Sequence, residues 1–158
     1  MHCCHSNATV PGSPDDVLEL LTEPDAIARW APIPFEVVSL DGTRLESGSH
    51  ARVTGRLAGR SLEFDVDVLR VSEDRLDLIA EGPISIDVSY VVRPAGSSSE
   101  VRASIGVEGR GLLGRVLAKA TEALLAGGAL RMSLERLAHE LGPALTPARE
   151  PAPSACLA

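Results

Sequence analysis

The stretch that decides the fold is Gly111–Leu141, GLLGRVLAKATEALLAGGALRMSLERLAHEL. Leu113, Leu117, Ala120, Leu124, Gly127, Leu130, Leu134, Leu137 and Leu141 recur at steps of three or four, which places them on one stripe of an α-helix. Lys119, Glu122, Glu135 and Arg136 fall away from that stripe and wet the opposite side. At 1.5 Å per residue, about thirty residues make a rod of roughly 45 Å. Such a rod cannot bury its stripe alone, so the rest of the chain must supply a partner surface.

Upstream, the period is mostly two. His50, Arg52, Thr54 and Arg56 alternate with Ala51, Val53, Gly55 and Leu57, and Leu62, Phe64, Val66 and Val68 alternate with Glu63, Asp65 and Asp67. A turn at Ala58-Gly59 would set Val53 opposite Phe64 and Arg52 opposite Asp65. One face is then apolar and the other carries opposite charges, an agreement that a one-residue slip would destroy. Further strands are expected at Cys3–Val10, Phe35–Leu40, Leu76–Ala80, Ile84–Val92 and Val101–Val107, with turns at Asp41-Gly42, Gly82-Pro83 and Ala95–Ser99. Between the first two of these strands, Ser13-Pro14-Asp15-Asp16 is a helix start with a capping serine, a proline at the first turn and acids at the positive end of the dipole. Glu23-Pro24 interrupts that helix, and a second runs from Asp25 to Trp30, making a bent elbow. The chain therefore reads as α+β: a curved antiparallel sheet of about six or seven strands wrapped around a long C-terminal helix, with two short helices after strand 1. Residues 1–142 form this one domain, and the Pro/Ala-rich residues 143–158 read as a disordered tail.

Bulk properties narrow the partner. The 158 residues are 44% hydrophobic and carry a net charge of −7, which argues against a nucleic-acid backbone. No segment approaches the ~20 apolar residues of a membrane span, and no secretory signal opens the chain, so a cytoplasmic location without membrane insertion is expected. Only 3% of residues are aromatic, so any enclosed space is walled by aliphatic side chains. Cys3, Cys4 and Cys156 are an odd set with two neighbours, which does not suggest a disulfide framework. The run His2-Cys3-Cys4-His5 has metal-ligating types, but no second Cys/His group closes a tetrahedron, so no metal or other cofactor is expected.

With the order of elements laid out, a resemblance emerges. Pro14-Asp15-Asp16-Val17, Thr22-Glu23-Pro24 and Ile27-Ala28-Arg29-Trp30-Ala31-Pro32 resemble the helical elbow of the START/polyketide-cyclase-like (SRPBCC) superfamily, whose fold is the helix-grip. Leu18 stands where many members carry Trp, and Glu23 where many carry Asp. The resemblance covers roughly residues 3–142 and implies a cavity between sheet and long helix that takes lipids, quinones, polyketides or similar molecules.

The alternation sends no carboxylate, His, Lys or Arg inward; Tyr90 is the inward strand residue with a hydroxyl, and Thr121 flanks the helix stripe. An apolar wall with one or two polar handles suits a small hydrophobic ligand. The expected contacts are Trp30, Val53, Phe64, Val66, Leu78, Ile86, Val88, Tyr90, Ala103, Ile105, Leu117, Thr121 and Leu124. Binding or transport is favoured over catalysis, and no catalytic residue is assigned. The alternative is a cyclase or aromatase in which loop residues such as Arg29 or Glu81 supply polarity; an inward His50, Arg52 or Asp87 would favour it. A third reading is a closed core with function on the surface of a homodimer. Gly127-Gly128 either makes room for a ligand or a bulky strand residue, or kinks the helix.

Overall fold

A computed structural model describes residues 2–57, 59–142 and the backbone of 155–157. Ser13 caps α1 (Pro14–Thr22): its Oγ accepts from the Asp16 N–H at 3.3 Å, while the Asp16 carboxylate accepts from the Ser13 N–H at 3.1 Å. Glu23, with extended backbone before Pro24, ends α1 and starts α2 (Pro24–Trp30), so the elbow forms where the sequence places it. The strands are β1 (His2–Pro11), β2 (Phe35–Leu40), β3 (His50–Leu57), β4 (Arg60–Val71), β5 (Arg75–Glu81), β6 (Ile84–Ala95), β7 (Ser98–Gly109) and β8 (Ala155–Leu157). They form one sheet in the order β2-β3-β4-β5-β6-β7-β1-β8, antiparallel throughout. This is the helix-grip architecture.

The β3–β4 register has Val53 opposite Phe64 and Arg52 opposite Asp65, as the charge pattern requires. Ala58 lies outside the described residues; Gly59, beside it, takes φ +76°, a conformation that favours glycine. The alternation breaks at two bulges. Pairing shifts between Val37 and Ser39 and between Val68 and Arg70, which turns Val38 and Leu69 outward and returns Val71 to the core side.

The long C-terminal helix is not one uniform rod. It comprises α3 (Gly111–Leu124), a π-helical turn (Leu125–Ala129) and α4 (Leu130–Leu141). Gly128 sits in the π turn at φ +107°, while a Cβ on Gly127 would meet nothing within 4 Å. Gly128 therefore serves the kink, and neither glycine makes room for a strand side chain. The turn also shifts the buried stripe. Leu117, Thr121, Leu125, Leu130, Leu134 and Leu137 are buried, and the step of five from Leu125 to Leu130 reflects the wider turn. Leu113 and Leu124, on the stripe expected from an unbroken helix, are exposed.

The tail expected at 143–158 falls mostly outside the described residues, but 155–157 pair with β1, Cys156 standing opposite Cys4. Cys4 is disulfide-bonded, contrary to the reading of the cysteine count. A long-range strand pairing, invisible in sequence spacing, puts a cysteine at the register position facing Cys4. Cys3 is a free thiol.

Candidate functional site

The concave face of the sheet meets three different lids. Over β7 the lid is α3, which approaches closely because small residues lie between. A Cβ on Gly109 would fall 2.1 Å from the Gly114 carbonyl oxygen, and Ala118 is buried one turn further on. Leu117 and Thr121 are fully packed here, and the Thr121 hydroxyl donates to the Leu117 carbonyl at 2.8 Å. Over β1 the lid is α4, and over the strands beyond β7 it is the elbow, which leaves a cavity of about 180 Å³.

Its walls are Leu21, Ile27, Trp30 and Ile33 from the elbow and the segment after it, and Val53, Phe64, Val66, Leu78, Ile86, Val88, Tyr90 and Ile105, among others, from the sheet. Of the expected contacts, Trp30, Val53, Phe64, Val66, Leu78, Ile86, Val88, Tyr90 and Ile105 thus come together. Ala103, Leu117, Thr121 and Leu124 do not line the cavity. The first three are buried against neighbouring elements, and Leu124 is 43% exposed. The cavity lies between sheet and elbow, not between sheet and long helix, because the small residues of α3 close that side. Sequence reasoning missed Leu21, Ile27 and Ile33, whose helical and loop spacing carries no inward signal once the chain leaves the period-two strands.

Trp30 is pinned three ways. Its Nε1–H donates to the Leu20 carbonyl at 3.1 Å, and its ring meets Tyr90 edge-on. Its carbonyl accepts from the Ser133 hydroxyl at 2.5 Å. Arg136 donates to the Ala31 carbonyl at 2.9 Å, and Arg29 pairs with Glu140 at 3.0 Å, so α4 also holds the elbow in place. Tyr90 is the titratable residue among those lining the cavity. Burial holds its phenol well above the ordinary tyrosine value.

The charged groups lie elsewhere. His50 bonds Asp67 at 2.9 Å and Arg52 bonds Asp65 at 3.2 Å, both exposed on the convex face. Asp87 lies in a groove with Asp77, Ser89 and Ser104, away from the cavity. Glu81 accepts from Ser85 at 2.6 Å. At the N-terminal run, His5 shares a 2.8 Å hydrogen bond with Ser104, and among the described residues no group of three or more His, Cys, Asp and Glu is arranged to hold a metal. No helix among them is long and apolar enough to cross a membrane.

A helix-grip domain with an apolar cavity under its elbow defines the class of protein. The chain belongs to the family described as polyketide cyclase / dehydrase and lipid transport, whose model matches residues 1–142. No curated protein matches it. Among solved structures it is similar to a START superfamily protein from Mycobacterium smegmatis, with 18% identity and TM-score 0.66 over 89% of this chain and 97% of that one. A protein from Chromobacterium violaceum is similar at 14% identity and TM-score 0.67, over 89% and 97% of the two chains. A putative protein of the dynemicin biosynthetic locus aligns at 22% identity and TM-score 0.57, over 88% of this chain and 46% of that one. At these identities the likeness is one of fold.

Proposed function

We propose that the protein binds and carries a small hydrophobic molecule of lipid, quinone or polyketide-like character in the cavity under the elbow. The observation that carries this reading is the cavity itself, walled by aliphatic and aromatic side chains. A dry apolar cavity of about 150 Å³ takes up a single aromatic ring. At about 180 Å³, the present one accommodates a ring or a short acyl segment as it stands.

The test is native mass spectrometry of gently purified protein, then denaturation and identification of whatever is released. It is paired with the cavity-filling variant Ala80→Phe. The expected result is an apolar adduct on the wild type and none on the variant. A clean apo mass, together with no thermal shift across lipids, quinones and aromatic polyketides, would sink the proposal.

A second reading, ring closure of a polyketide held in the same cavity, draws on the family description and on the position of Tyr90. It predicts conversion of such a substrate, and a loss of at least tenfold in rate for Tyr90→Phe with binding retained.

A further inference from the structure

On its outer side, α3 presents a surface that the core does not use. Leu112 is 84% exposed, Leu113 53% and Val116 64%. At i, i+1 and i+4 they share one side of the helix. Around them stand Arg110, Arg115 and Lys119, all exposed and without an ion pair among the described residues. The chain has 22 acidic residues and 15 basic ones, yet residues 109–121 hold three basic residues and no acidic one. An acidic protein thus concentrates positive charge and exposed leucine on a single helix end.

We infer that this face of α3 docks on a bilayer surface bearing anionic headgroups. The apolar side chains would enter the interface while the long Arg and Lys side chains reach back to the phosphates, an arrangement suited to lying on a membrane and not to crossing one. A second copy of the chain is the less suited occupant. A two-fold contact through the same face would set Arg115 and Lys119 of one copy against those of the other, and lysine is depleted in protein interfaces.

On the inner side of the same helix, α3 packs near the cavity wall. Gly114, between Leu113 and Arg115, packs on the Pro83 carbonyl, to which a Cβ would come within 3.0 Å. A Cβ on the preceding Gly82 would lie 2.8 Å from Cδ1 of Phe64, a cavity residue. Docking through the outer side of α3 would therefore leave the helix, about 10 Å across, between the ligand chamber and the bilayer. The docking itself stands on the surface alone, so it can be tested whatever the cavity holds.

The experiment is co-sedimentation of the full chain with phosphatidylcholine vesicles, with and without 25 mol% phosphatidylglycerol. Binding should require the anionic lipid and weaken about fivefold or more when NaCl rises from about 0.1 to 0.5 M. Leu112→Ser/Val116→Ser and Arg115→Gln/Lys119→Gln change only exposed side chains; each should cut binding at least tenfold while leaving the circular dichroism spectrum and melting temperature within error. Equal binding to neutral and anionic vesicles, no binding to either, or wild-type binding by both variants would overturn the proposal. A wild-type dimer in light scattering that Leu112→Ser/Val116→Ser dissolves, without vesicle binding, would reassign the face to a second copy.

Discussion

Trp30 and Tyr90 meet edge to face, with ring centroids 5.5 Å apart and planes at 83°, one on the elbow and the other on the sheet. They are one of the contacts through which the lid is fastened to the wall. A T-shaped pair of this kind contributes about 0.5–1.5 kcal/mol beyond the area it buries. Both residues line the cavity, so the group that closes it is also part of it.

Tyr90→Phe retains that ring contact and removes only the hydroxyl and its hydrogen bond with Ser133. A loss of about 0.5–1.5 kcal/mol in urea unfolding at neutral pH is expected. Tyr90→Ala removes the ring as well, and about 3–5 kcal/mol is expected, as for other buried aromatics.

The same residue shapes the alkaline limb of stability. Burial raises the Tyr90 phenol above its ordinary value, so below that value folded and unfolded chains both hold the proton and this group adds no pH dependence. Above about pH 10 the unfolded chain loses the proton first, and stability falls by up to about 1.4 kcal/mol per pH unit until the folded phenol ionises. Phenylalanine does not titrate. The deficit of Tyr90→Phe measured by urea unfolding at pH 8 should therefore shrink or reverse by pH 11, whereas a constant deficit would mean that the phenol is not shielded.

His50 titrates on the opposite, wetted face. Its hydrogen bond with Asp67, helped by the Asp65 charge, raises its pKa above the ordinary histidine value. Its contribution is present below the unfolded value and fades as pH rises through the folded one. NMR titration should place the imidazole above free histidine in the wild type and closer to it in Asp67→Asn.

Gly127 and Gly128 are neighbours with opposite expected outcomes. Gly128→Ala forces a side chain onto φ +107° and should cost about 1–3 kcal/mol. Gly127→Ala adds a methyl where nothing lies within 4 Å, and the gain in helix propensity should stabilise by up to about 1 kcal/mol. Thermal melts of both variants check the pair; equal losses would mean that the kink does not depend on Gly128.

Ser6 is fully enclosed on β1, and its hydroxyl has no hydrogen-bond partner among the described residues. Replacing an unsatisfied buried hydroxyl by hydrogen relieves a desolvation penalty of about 1–3 kcal/mol, against a small loss of packing. Ser6→Ala should therefore be neutral or stabilising in denaturant unfolding.

Much of this protein was legible in the chain as written. The capping box at Ser13, the break at Glu23-Pro24 and the β3–β4 register are local or nearest-neighbour matters. Cap chemistry, proline sterics and the alternation of charge with apolar residues state them directly. The inward parity of Val53, Phe64, Val66, Leu78, Ile86, Val88, Tyr90 and Ile105 follows from the same period of two. Only the tertiary structure decided the rest. Leu124 and Leu125 both satisfy a helical stripe; packing chose Leu125, four residues on from Thr121, and the π turn at Gly128 then carries the stripe five residues on to Leu130. The position of the cavity depended on how closely each lid approaches the sheet. Gly114 and Ala118 bring α3 into contact with β7 and leave the gap to the elbow, a result of side-chain volumes meeting across elements far apart in sequence. The pairing of 155–157 with Cys3–His5 is of the same kind: strand partners are chosen by edge and geometry, which no sequence interval records.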